Sequence, residues 1–228
     1  MTATLKAIIK APDFLYMSRF VSNDETRYYL KGVFIDLVNG RMVATDGHRL
    51  GLLKPFTDEA RFACNETSVI LSANKTLLQA CKATRYEQKW LRLFVDRVEV
   101  ISISVNMEPT AETMRDYDGL VAITLPSSTC YIDGTFPDYE RIIPDNVEPM
   151  DNAPFNTEYL ASFSGPDKDE KWIVLASGGK GMPALVANCD PRFIGVIMPF
   201  KNTQSPLDRC RSLMGRNIAT MPEAAAAD

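Results

Sequence analysis

Short apolar blocks alternate with polar punctuation along this chain, and the same order of blocks comes round three times. Residues 5–10, LKAIIK, predict a strand. Pro12 and Asp13 then open a helix, with proline at an early helical position and an acid in the first turn. Phe14, Leu15, Met17, Phe20 and Val21 give that helix an apolar face. After a polar loop at 22–27, YYLKGVFIDLV (28–38) and RMVAT (41–45) predict strands joined by an Asn39-Gly40 hairpin, with a third strand over 49–54. The second pass is a strand at 68–72, a helix at 73–85 and strands at 90–96 and 98–105. An acidic loop at 106–119 leads into another strand at 119–126, which 127–133 extends. The third pass follows a Pro- and Asp-rich linker at 144–154: a short helix at 155–165 ending at Gly165, then strands at 172–177, 182–189 and 193–200.

This pattern predicts an α+β fold of repeated strand–helix–three-strand half-modules, with antiparallel sheets and the helices on one side. Two copies make one complete domain over residues 1–146, and the third makes half a domain over 147–201. A tail, 202–228, follows. QSPLDRCRSLMGRN within it suits a short helix that exposes Arg209, Arg211 and Arg216, and MPEAAAAD carries no pattern that demands packing.

Composition narrows the function classes. Of 228 residues, 46% are hydrophobic and 24% charged, as in ordinary globular proteins. No window approaches the ~18 uninterrupted apolar residues of a membrane helix, and the first residues do not form a signal peptide. Five scattered cysteines (Cys64, Cys81, Cys130, Cys189, Cys210) with no CxxC fit reduced core thiols in a cytoplasmic protein. A net charge of −4 leaves nucleic-acid binding to a local basic face.

Two polar, turn-rich stretches stand out: VATDGHRL (43–50), which holds the single histidine, and DGTFPDYERIIP (133–144). Asp46 and His48 invite a general acid–base reading, but Asp-Gly is turn chemistry and no GxSxG nucleophile signature accompanies them. One histidine and no Cys/His cluster give no metal centre. GGKGMP (178–183) lacks the P-loop spacing and precedes a strand, so it is a turn. The charged residues of the 73–85 segment, Lys75, Lys82 and Arg85, are all positive and share one broad helical face, which suits a phosphate backbone. Arg19 is the one cation of the first helix.

RYYLKGV (27–33), VATDGHRL (43–50), DGTFPDYERIIP (133–144) and GVIMPF (195–200) resemble, in order and spacing, the bacterial sliding clamp, the beta-subunit family of DNA polymerase III. The resemblance covers about residues 4–200 and implies the DNA-clamp fold over about one and a half clamp domains: the middle domain, then the second half of the last. It implies a non-enzymatic DNA replication processivity factor without a cofactor. Such a factor tethers DNA polymerase and other proteins through a groove that takes a Gln…Leu-Phe type motif. Carried over, one groove wall is Leu30, Thr45, Gly47, His48, Arg49, Leu50, Pro137, Arg141 and Ile142. The facing wall is Asn156, Tyr159, Val196, Ile197, Met198 and Pro199. Arg19, Lys75, Lys82 and Arg85 would face double-stranded DNA. Encirclement would require a homo-oligomer, since family rings hold many more half-modules than three.

The chain also departs from the family. The first half of the last domain is missing, Asn23-Asp24-Glu25 sets two acids where the family faces DNA, and Phe200-Lys201 replaces a methionine and an arginine. These features suit a compact homologue of the kind a phage or mobile element encodes. They also motivate an alternative: a clamp-like binding module that does not encircle DNA and competes for or sequesters clamp-binding partners.

Overall fold

A computed structural model describes residues 4–54, 66–107, 109–148, 153–165 and 171–200. The expected strands form two antiparallel sheets. One has four strands in the order β1 (Leu5–Lys10), β6 (Glu87–Phe94), β7 (Arg97–Ser104), β8 (Val121–Pro126). The other has seven: β5 (Ser68–Ser72), β2 (Gly32–Asp36), β3 (Arg41–Thr45), β4 (Arg49–Leu53), β11 (Phe193–Ile197), β10 (Ala184–Asn188), β9 (Ile173–Ser177).

The order of strands shows how the half-modules interlock. The leading strand of the first, β1, caps the three strands of the second at β6, and the leading strand of the second, β5, caps those of the first at β2. Helices α1 (Ala11–Met17) and α2 (Lys75–Cys81) pack on each other in the core between the sheets. Phe14, Met17 and Phe20 from the first helical segment, and Leu77 and Cys81 from the second, are fully buried there. The third half-module joins through the sheet: β11 pairs antiparallel with β4, so Ile197 lies opposite Arg49 and Val196 opposite Leu50. Helix α5 (Thr157–Ser162), capped by Asn156, belongs to this unit, and its Tyr159 and Leu160 pack on the same core.

Several local expectations give way to tertiary structure. Tyr28, Tyr29 and Leu30 do not join a strand; they close a 3₁₀ segment, Glu25–Leu30, that Asp24 caps, and β2 starts only at Gly32. Helix α2 ends at Cys81, because Lys82 turns extended. The acidic loop contains a helix, α3 (Ala111–Arg115), started by a Thr110/Thr113 capping box. Its Met114 is buried with Ile8, Trp90, Ile101 and Ile103 on the face of the four-stranded sheet away from α1 and α2. Residues 127–130 make a short helix, α4 (Ser127–Cys130), rather than extending β8. The Ser22 N–H donates to the Leu30 carbonyl at 2.9 Å and ties the start of the loop to the end of the 3₁₀ segment. The expected tail helix and its arginines, with Cys64 and Cys210, lie outside the described residues.

Candidate functional site

The stretch VATDGHRL is the end of a strand, a three-residue loop and the start of the next strand, and the loop is tied from within. The Asp46 carboxylate accepts the backbone N–H of His48 at 2.9 Å and of Arg49 at 3.0 Å, and its other oxygen accepts Arg49 Nε at 3.0 Å. Thr45 Oγ1 donates to the Arg49 carbonyl at 2.7 Å and accepts the Gly47 N–H. Gly47 sits at φ +91°, where a side chain is strained, and a Cβ there would lie 2.6 Å from the Arg27 guanidinium. Asp46 is thus fully used as a turn cap, and nothing pairs it with the His48 ring as an acid–base couple would require.

Across the same face of the seven-stranded sheet lies DGTFPDYERIIP. Phe136, Tyr139 and Ile143 pack on Phe34, Val43, Leu50, Leu52 and Val196. Phe136 stacks on Phe34 with ring centroids 4.8 Å apart. The Tyr139 hydroxyl donates to Asp36 at 3.4 Å, and Arg41 donates to Glu140 at 2.7 Å, so the segment is pinned at the start of its 3₁₀ turn, Glu140–Ile142. Burial pushes the Tyr139 phenol above its ordinary range, so it remains a donor.

Between this cover and the β4–β11 junction runs a groove of about 300 Å³. Leu30, Thr45, Gly47, His48, Arg49, Leu50, Pro137, Ile142, Val196 and Met198 line it. Of the other residues expected there, Arg141 points away: its side chain is 83% exposed and paired with Asp138 at 2.8 Å. Ile197 is in the core. Asn156 uses its side-chain oxygen to accept the N–H groups of Glu158 and Tyr159 at the start of α5. Tyr159 flanks the groove, with its ring stacked on His48 at 6.0 Å and under the Arg49 guanidinium at 4.6 Å. Pro199 follows Met198, whose N–H donates to the His48 carbonyl and extends the sheet beyond β11.

The sequence reading missed Arg27, Tyr29, Asp138 and Tyr139, which also line the groove. Tyr139 was legible in principle, since 3₁₀ spacing puts it on the same side as Ile142. The rim is charged but internally neutralised: Arg27 pairs with Asp24 at 3.0 Å, Arg49 with Asp46 and Asp138 with Arg141. Hydrogen bonds from Thr26 and Arg27 hold the Asp24 carboxyl down at about 2, so that pair persists at neutral pH. A groove with an apolar floor and a neutral rim suits an extended or turned peptide with large apolar side chains. Among the described residues, no three His, Cys, Asp or Glu side chains group closely enough to hold a metal ion.

The four expected DNA-facing cations lie apart from the groove. Lys75 is exposed at the start of α2. Lys82 and Arg85 lie exposed beyond its end, Lys82 on extended chain and Arg85 in the turn before β6, rather than sharing its helical face, and Arg85 rests over the Tyr86 ring. Arg19 donates to the Ser164 carbonyl at 3.2 Å. The two acids of the 23–25 loop are matched by cations, Asp24 by Arg27 and Glu25 by Lys31.

Interlocked strand–helix–three-strand units, joined end to end through a continuous sheet with an apolar groove at the joint, define a DNA-clamp architecture. No family model matches the chain. The sliding clamp of Pseudomonas aeruginosa superposes with TM-score 0.59 at 16% identity, covering 89% of this chain and 68% of that one. A Bartonella birtlesii sliding clamp bound to griselimycin gives 0.61 at 19% identity, covering 89% of this chain and 68% of that one. In sequence, the beta sliding clamp of Caulobacter vibrioides is 33% identical over 135 residues, 56% of this chain and 31% of that protein. That of Pseudomonas aeruginosa is 26% identical over 126 residues, 54% of this chain and 29% of that protein. Over the part they share, the chain is similar to the bacterial beta sliding clamps. It spans about a third of the length of these curated relatives.

Proposed function

We propose that this chain is a sliding-clamp-like processivity factor of DNA replication, without catalysis of its own, that tethers polymerase and other clamp-binding proteins through the groove. The observation that carries the reading is the groove itself. Leu30, Leu50, Val196 and Met198 floor it, and His48, Arg49 and Tyr159 stack along its side, at the junction of two half-modules. Exposed Lys75, Lys82 and Arg85 supply cations for double-stranded DNA, and their side chains have no ion pair among the described residues. Encirclement then rests on a homo-oligomer.

The test is fluorescence anisotropy with a labelled peptide of the Gln…Leu-Phe type, paired with retention of the protein on circular DNA. The peptide binds, and Met198→Ala weakens it about 10-fold by removing an anchor contact worth about 1.4 kcal/mol. Arg141→Ala leaves affinity within about 2-fold, because its side chain faces Asp138 and solvent. Absence of peptide binding overturns the assignment. Peptide binding without retention on circular DNA would instead select a non-encircling module that competes for the same partners.

A further inference from the structure

The stretch that joins α2 to β6, KATRYEQK (82–89), concentrates positive charge in an acidic chain. Three cations, Lys82, Arg85 and Lys89, face one acid, Glu87, a local balance of +2 where the whole chain carries −4. Glu87 is already used within the turn. Its carboxylate accepts the Thr84 N–H at 3.0 Å and the Ser102 hydroxyl, and it pairs with Lys89 at 3.7 Å. Lys82 and Arg85 are exposed and have no ion pair among the described residues.

Between these charges stands Tyr86, at 65% the most exposed aromatic side chain among the described residues. It belongs to none of the apolar clusters of the fold, so packing does not explain it. The Arg85 guanidinium lies 4.5 Å from the ring centroid and backs the ring, which is otherwise open to solvent. The turn that presents it is hydrogen-bonded. The Tyr86 N–H donates to Thr84 Oγ1 at 3.4 Å, and its carbonyl accepts the Val105 N–H at 3.0 Å, which extends the β6–β7 ladder by one pair. Gln88 then donates to the carbonyls of Val105 and Met107, at 3.1 and 3.0 Å, and fixes the neighbouring turn.

We propose that this turn binds single-stranded nucleic acid, with an unpaired base stacked on Tyr86 and phosphates held by Lys82 and Arg85. Cations without carboxylate partners attract a phosphate backbone. An exposed ring offers a face to any base, whatever the sequence. A duplex can use the cations but not the ring, because its base faces are stacked on one another. An acidic peptide would likewise leave the ring unused. The site goes beyond the duplex contacts proposed above and does not depend on the groove.

The test uses the full chain and a fluorescein-labelled oligothymidylate of about 20 nucleotides, followed by anisotropy at low salt. The strand binds, and added salt weakens it. Tyr86→Ala weakens it about 10-fold, whereas Tyr86→Phe, which keeps the ring, stays within about 2-fold of the unmodified protein. Arg85→Gln and Lys82→Gln weaken it too. Tyr86→Ala leaves far-ultraviolet circular dichroism, groove-peptide affinity and affinity for a duplex of the same length unchanged, so a fault in the groove assignment cannot be mistaken for a fault here. Absence of strand binding at low salt overturns the proposal. So does an equal loss for strand and duplex in Tyr86→Ala, or a loss in Tyr86→Phe as large as in Tyr86→Ala. Polyglutamate that binds with the same dependence on Tyr86 would make the turn a peptide site and overturn it as well.

Discussion

At the level of single residues, the joint between the first and third half-modules depends on two glycines. Gly51 of β4 and Gly195 of β11 lie directly opposite one another. A Cβ on Gly51 would sit 2.8 Å from the Phe20 ring, and one on Gly195 would sit 2.3 Å from the Phe163 ring. Those rings are fully buried, 5.2 Å apart, within an aromatic group that includes Tyr16 and Phe193. Neither glycine has a positive φ, so the demand is for space alone. Gly195→Ala should therefore cost about 1–3 kcal/mol by overpacking and lower Tm by about 2–4 °C for each kcal/mol, with Gly51→Ala the milder of the two. Equal and negligible shifts in calorimetry would contradict this packing. Nothing in the sequence marks these glycines, because their partner rings come from the turn that follows α1 and from the C-cap of α5, over a hundred residues apart. The groove residues were legible only through the resemblance: His48, Leu50, Val196 and Met198 fall in VATDGHRL and GVIMPF, two of the motifs that carry it, and the pairing of β4 with β11 is what brings the two stretches together. Arg141 was misplaced for a local reason. In a 3₁₀ turn it points away from the side shared by Tyr139 and Ile142.

At the level of elements, the periodic pattern located every strand of the described residues, but tertiary contacts set where strands and helices stop. The sequence 73–85 is helix-compatible throughout; α2 stops at Cys81 with Lys82 extended, and the following chain enters β6 at Glu87. α3 was obscured by its polar setting, although Thr110 and Thr113 carry its start signal. α5 ties element to site. Asn156 accepts two N–H groups at its start, and the first turn presents Tyr159 to His48 and Arg49. If Asn156 acts as this cap, Asn156→Ala should cost about 1 kcal/mol and weaken peptide binding by loosening Tyr159. Asn156→Asp, which caps equally well but lacks the amide donor, should keep both stability and affinity. Loss of peptide affinity in Asn156→Asp with stability intact would show instead that the amide itself contacts the peptide.

At the level of the whole molecule, the groove exists only while the third half-module stays docked on the first, and a polar clasp holds it there beside the β4–β11 pairing. Arg192 donates to both oxygens of Asp13 on α1, each at 3.1 Å, and to Asp190 at 2.8 Å. Nearby, Asn188 donates to the Tyr16 hydroxyl and to the Phe163 carbonyl, both at 2.8 Å, which joins α1, the end of α5 and β10. Burial alone would raise the Asp190 carboxyl, but the side-chain and backbone hydrogen bonds of Arg192 and its charge outweigh that and hold it below the ordinary range. The same contacts raise the Arg192 guanidinium, so only the carboxylate titrates in acid. A carboxyl depressed by folding adds stability that is fully present above its unfolded value, about 3.9, and is lost as pH falls through the lower folded value. Between neutrality and about pH 4–5 the Asp190 contribution should thus be constant, and below that window it should fade. Asp190→Asn should lower Tm at pH 7 and flatten the acid limb of Tm against pH, because the variant has no proton to take up at that site. Peptide affinity measured across the same range should fall with the clasp, since an undocked third half-module withdraws Val196 and Met198 from the groove. An acid limb of unchanged slope in Asp190→Asn would assign the pH sensitivity to other carboxylates and leave the sheet junction as the main tie between the two units.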